Sequence, residues 1–178
     1  ELMLGPNQEQ AIHPIYSYAF ITDANEGLIV VNVDTLSDGE PRNNSLSRAT
    51  TWNEGGVLNG ARHITMGGYN AYILTDDSLV IVNVDNPLAP TLSATLTLDD
   101  PRASSLQFRY LFVTDATGLR VVDVTAPAQP QLVADSAVRV PDAHGVFASR
   151  TYAYVAAGRE GLVIVDIEQP ESMRELTR

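Results

Sequence analysis

A chain of 178 residues, 44% of them hydrophobic, has the length and apolar content of one packed domain. Its 22 acidic and 11 basic residues give a net charge of −11, which argues against the basic face that binding nucleic-acid phosphates requires, so no nucleic-acid partner is expected. The absence of cysteine excludes disulfides, thiolate metal sites, thiol nucleophiles and covalent c-type haem attachment, and no apolar run reaches the roughly 20 residues of a bilayer-spanning helix.

The chain opens on Glu1 rather than Met, which reads as a processed, cut or partial protein. Four similar units follow. In the first, residues 11–16 alternate as a short strand, and residues 18–23 form a second strand rich in aromatic and β-branched side chains. A short turn leads to a third, Leu28-Ile29-Val30-Val31-Asn32-Val33. Residues 37–60 then break the pattern as an insertion that carries Arg42, Arg48 and the single tryptophan, Trp52. The second unit repeats the three strands at 61–66, 71–76 and 79–84, the third at 103–108, 110–115 and 119–124, and the fourth at 143–148, 152–157 and 162–167. Between units lie proline-punctuated links, Pro87-Leu88-Ala89-Pro90 and Pro127-Ala128-Gln129-Pro130, each leading to a fourth strand such as 91–98. Proline has no N–H for a ladder, so the fourth strand is expected outermost.

The leucines that open the third strands, Leu28, Leu79, Leu119 and Leu162, lie 51, 40 and 43 residues apart. A period of that length with four antiparallel strands per unit predicts an all-β fold, a β-propeller with four four-stranded blades. The blade units run about 11–60, 61–102, 103–142 and 143–178 within a single domain, 1–178. The near-continuous apolar third strand fits a strand packed on both faces by neighbouring blades. The two chain ends fall at nearly the same point of the repeat, since Glu1-Leu2-Met3-Leu4 resembles Thr95-Leu96-Thr97-Leu98 and residues 173–178 resemble the start of such a strand. Two closures therefore stand open: a ring of four blades, or part of a larger ring of seven or eight.

The unit Ala-x-x-Val, Tyr-Ala-Tyr-Val, Gly-Leu-Val-Ile-Val-Asp-Ile, Pro-x-x-Pro resembles the LVIVD repeat, a bacterial propeller repeat. The resemblance covers essentially the whole chain and is strongest over 105–170, where Tyr110, Asp115, Gly118, Leu119, Val122, Asp123, Tyr152, Gly161, Leu162 and Asp166 fall in pattern. The first unit departs by its insertion, and the fourth has Ala156-Ala157 in place of Thr-Asp. The resemblance implies an extracytoplasmic binding or scaffolding propeller, with no catalytic residues and no cofactor. The stretches at 142–145 and 150–158 resemble relatives that accompany bacterial multihaem cytochromes. It therefore implies a protein partner, a multihaem cytochrome among them, or further blades; the shortness of the apolar runs is the ground for expecting no direct insertion into a membrane.

Three candidate sites follow from the residues themselves. His13, His63 and His144 lie at the start of the innermost strand of a unit, and Asp76 and Asp115 lie on turns that open on the same face of a propeller disc. Imidazoles and carboxylates around a channel mouth are the donor set of a metal site, and turn-forming aspartates repeated with the blade are the alternative. Ser104 or Ser105 with a histidine and an aspartate would be the elements of a hydrolytic enzyme, although no Gly-x-Ser-x-Gly elbow is present. On the insertion, Trp52, Arg42 and Arg48 are the expected anchors for a partner, because an indole and two guanidiniums combine apolar burial with directed hydrogen bonds.

Overall fold

Alternating β-branched and aromatic residues, broken by Gly, Asp and Asn at each turn, fold into four antiparallel sheets. The computed structural model describes residues 14–36, 39–134 and 136–177. Blade 1 holds β1 (Tyr18–Asp23), β2 (Gly27–Asn32) and β3 (Ser47–Trp52). Blade 2 holds β4 (His63–Gly67), β5 (Asn70–Leu74), β6 (Ser78–Asn83) and β7 (Thr91–Thr97). Blade 3 holds β8 (Ala103–Gln107), β9 (Tyr110–Thr114) and β10 (Gly118–Asp123), edged by β11 (Gln131–Leu132) and β12 (Val138–Arg139). Blade 4 holds β13 (Gly145–Ser149), β14 (Tyr152–Ala156), β15 (Leu162–Asp166) and β16 (Arg174–Thr177). Strands pair in chain order within each sheet, as successive hairpins require. The helical pieces among the described residues are single 3₁₀ turns.

The blades stand side by side, with an apolar core between each consecutive pair. Side chains alternate across a strand, so each blade has a forward face that meets the next blade and a rear face that meets the previous one. Leu28 and Val30 on the forward face of blade 1, with Phe20 and Trp52, pack on Ala71, Ile73, Val80 and Val82 of blade 2. Tyr72, Leu79 and Ile81 of blade 2 pack on Leu111, Val113 and Val122 of blade 3. Phe112, Leu119 and Val121 of blade 3 pack on Ala153, Val155, Val163 and Val165 of blade 4. Apart from Phe20 and Trp52, which are partly buried, these positions are almost fully buried, which explains the continuous apolar runs of the strands between two blades.

Three expectations need correction. Residues 11–16 were expected to form an inner strand, but Pro14–Ser17 form a 3₁₀ turn, and blade 1 has three strands among the described residues. Proline at residue 14 has no N–H to give a ladder; residues 11–13 lie outside the described part, as do Glu1-Leu2-Met3-Leu4. The segment 37–60 is not additional to the repeat. Its second half supplies β3, the outer strand of blade 1, and a link in which Leu58 is fully buried between blades 1 and 2. The outer strand of blade 3 is split into β11 and β12, both paired to β10. Blades 1, 2 and 4 show a shift of register at this same place, between Val30 and Val31, Ile81 and Val82, and Ile164 and Val165. What is a one-residue irregularity in three blades has grown into a short excursion in the third.

Candidate functional site

The two ends of the blade stack carry different chemistry. At the end where each inner strand begins, residues immediately before it form a polar strip across blades 2, 3 and 4. Arg62 pairs with Asp76 and, at 3.1 Å, with Asp100. Arg102 Nε lies 3.1 Å from the other oxygen of Asp100, and its Nη1 lies 3.6 Å from Asp142 and donates to the Ala143 carbonyl at 3.0 Å. His144 Nε2 ends the strip 2.9 Å from Asp142. The amides of Arg62, Arg102 and His144 bond to the carbonyls of Leu74, Thr114 and Ala156, which makes these three side chains equivalent by register. Gly60, Asp100 and Asp142, two residues earlier, all have positive φ of 78°, 45° and 57°. The hydrogen bond from Arg102, aided by Arg62, holds the Asp100 carboxyl below its ordinary range. Charges alternate along the strip, so it ties blade to blade and leaves little net field.

This register separates residues that the sequence had grouped. His63 and His144 are not equivalent; His63 corresponds to Ala103 and Gly145. His63 Nε2 lies 3.0 Å from the Ser104 carbonyl, inside the seam between blades 2 and 3. Ser104 Oγ lies 2.8 Å from Thr65 Oγ1, and Ser105 Oγ accepts the Ala148 amide at 3.0 Å, so both serines tie neighbouring blades together. Asp76 is exposed beside Arg62, whereas Asp115 is buried beneath its own turn. Asp115 Oδ1 accepts the amides of Thr117 and Gly118 at 2.7 and 2.9 Å, and its other oxygen meets Arg120. Burial pushes this carboxyl up, but hydrogen bonds from the Thr117 hydroxyl, Arg120 and the two amides outweigh it and leave the pKa lowered. Among the described residues, no three His, Asp or Glu side chains come together as a metal-ligand set. His13 lies outside the described residues.

The three anchors expected on 37–60 are placed differently from one another. Arg42 is exposed on the loop before β3. Arg48 is on β3 and pairs with Glu26 of the blade 1 turn. Trp52 lies opposite Leu28 and packs against the core between blades 1 and 2.

The opposite end was not singled out by the sequence. There the inner hairpins turn at Gly68-Tyr69, Phe108-Arg109 and Arg150-Thr151, and the first residue of each pair has positive φ: 57°, 54° and 55°. Phe108 is 92% exposed in that conformation. Beside it an open groove of about 370 Å³ runs between blades 3 and 4, lined by Arg109, Tyr110, Arg150, Ile167 and Pro170 among others. Tyr110 donates to Glu171 across the groove, and the Arg109 guanidinium lies 4.9 Å from the Tyr110 ring centre. The available signal was a bulky residue at a hairpin position that blade 2 fills with glycine.

A family model described as the LVIVD repeat matches at residues 17–38, 60–97, 106–136 and 142–178. No curated protein matches the chain. Among solved structures, the chain is similar to PorZ, an essential bacterial surface component of the type-IX secretion system of Porphyromonas gingivalis, with a TM-score of 0.58 and 16% identity over 91% of this chain and 20% of that one. It is similar to a chain of a nidogen/laminin complex, with a TM-score of 0.60 and 14% identity over 94% of this chain and 62% of that one. It is also similar to the N-terminal domain of Nup159, with a TM-score of 0.59 and 8% identity over 90% and 41% of the two chains. The chain thus spans less than two thirds of each, and at these identities the likeness is one of fold.

Proposed function

The chain belongs to the LVIVD-repeat family, and we propose that it is a non-enzymatic propeller module that binds another protein in a bacterial envelope or extracellular assembly. The observation that carries this reading is Phe108. A phenylalanine at φ 54° with 92% of its surface in water is unfavourable twice, in backbone strain and in apolar exposure. Both terms are offset when a partner buries the ring, and Arg109 and Arg150 beside it add directed donors of the kind enriched at interface centres. The fold likeness to a bacterial surface component supports placing the module outside the cytoplasm. A multihaem cytochrome of the same envelope is one partner of this class. The test is a photo-crosslinking phenylalanine analogue at position 108 in the producing cell. A discrete adduct with one envelope protein is expected. An adduct pattern no different from that of a probe at Leu88, also exposed but outside the groove, would reject the reading.

A further inference from the structure

Each of the three seams joins a forward face to a rear face, and among the described residues the forward face of blade 4 and the rear face of blade 1 have no blade against them. On blade 4, Tyr154, Leu162 and Ile164 occupy the forward positions held in blade 2 by Tyr72, Leu79 and Ile81. On blade 1, Ala19, Ile21, Ile29 and Val31 occupy the rear positions held in blade 2 by Ala71, Ile73, Val80 and Val82. Cover differs most at two positions: Leu79 is 0% exposed and its equivalent Leu162 54%, while Ile73 is 0% exposed and its equivalent Ile21 49%; Ile29, at the centre of the blade 1 face, is 8% exposed. The faces match in shape as well. In the first and third seams a forward aromatic, Phe20 or Phe112, belongs to the same core as a rear alanine, Ala71 or Ala153, and the open faces offer Tyr154 and Ala19 for the same pairing.

We propose that the occupant of both faces is a second copy of this chain, joined head to tail. The forward face of blade 4 in one copy meets the rear face of blade 1 in the other, and the reverse contact closes a ring of eight blades. The contact is heterologous, so it must either close or propagate, and eight blades lies within the range that propeller rings adopt. The inner edge of this seam departs from the interior ones. Phe147, 64% exposed, stands where Thr65 and Ser105 make hydrogen bonds between blades, so the new seam is more apolar there. This inference is independent of the groove at Phe108.

The test is the mass of the chain in solution by light scattering at about 100 μM, a concentration that populates a complex of micromolar Kd. The expected mass is twice 19.2 kDa. Leu162→Glu and Ile21→Glu alter residues that are half in water in the single chain, so each variant should keep the wild-type circular dichroism. Each alone should fall to monomer, because every seam of the ring then holds one buried glutamate. Mixing the two variants should bring back dimer, since one of the two seams in the mixed ring is then wild type. A wild-type monomer at that concentration, or a dimer indifferent to Ile21→Glu, overturns the proposal.

Discussion

The residue that closes each Leu-x-x-Val strand has one task in all four blades. Asn32, Asn83, Asp123 and Asp166 each accept, through Oδ1, the amide two residues on, at 2.8, 3.0, 2.8 and 3.1 Å. The repeat keeps Asp or Asn there because either caps the backbone as it leaves the strand. Asp123→Ala should therefore cost only about 1 kcal/mol in urea denaturation. Asp115→Ala should cost more, about 2–3 kcal/mol, because it strips a buried turn of its acceptors and leaves Arg120 without its carboxylate. The pH dependence has a definite sign. Asp115 has a lowered pKa in the folded chain, so its contribution is fully present above the unfolded value of about 3.9 and is lost as pH falls through the folded value. Below about pH 4 the stability of Asp115→Asn should decline less steeply than that of the wild type. Phe108 is the opposite case. Phe108→Gly removes a strained φ and should raise stability by about 0.5–1 kcal/mol while weakening partner capture.

At the scale of elements, the outer strand is where the blades differ, because it is packed least and tolerates irregularity. In blade 1 it is nevertheless tied inward by Trp52, which shares a core with Leu28 and Val30. Trp52→Ala should destabilise the fold by about 2–3 kcal/mol, somewhat less than a fully buried tryptophan would, and deletion of 37–60 should prevent blade 1 from forming. In blade 3 the split outer strand crosses so close to Gly118 that a Cβ there would lie 2.0 Å from the Val138 carbonyl oxygen. Gly118→Ala should lower stability by about 1–3 kcal/mol by displacing β12, and faster amide exchange at Val138 and Arg139 would report it.

Across the whole molecule, stability resides in seams between blades, so the same substitution has a different cost at different ends. Ile73→Ala opens a buried seam and should cost about 2–5 kcal/mol, whereas Ile21→Ala at the equivalent open position should cost less than about 1.5 kcal/mol in dilute protein. Thermal melts of both variants across a concentration series check this, because a head-to-tail ring requires the gap between them to narrow as concentration rises.

The sequence alone determined the all-β class, the four-fold repeat and the hairpin order. Each of these is encoded locally, by two-residue alternation within strands and by Gly, Asp, Asn and Pro between them. It also identified the Leu79-Val80-Ile81-Val82 strand as buried on both faces, because a run without polar alternation has no face to offer water; the same run in blade 4 has one face exposed at Leu162. The tertiary structure decided what depends on register. Aligned on their alanines, residues 61–66 and 103–108 seem equivalent, yet hydrogen bonding matches Arg62 with Arg102 and His144, and His63 with Ala103. A shift of one residue sends a side chain to the opposite face of its sheet, so His63 turns into the seam between blades 2 and 3 while Arg62, Arg102 and His144 share a strip with Asp76, Asp100 and Asp142. The burial of Trp52 and the exposure of Phe108 were also out of reach of the sequence. Whether an aromatic side chain meets a core or water is fixed by residues that fold against it from elsewhere in the chain.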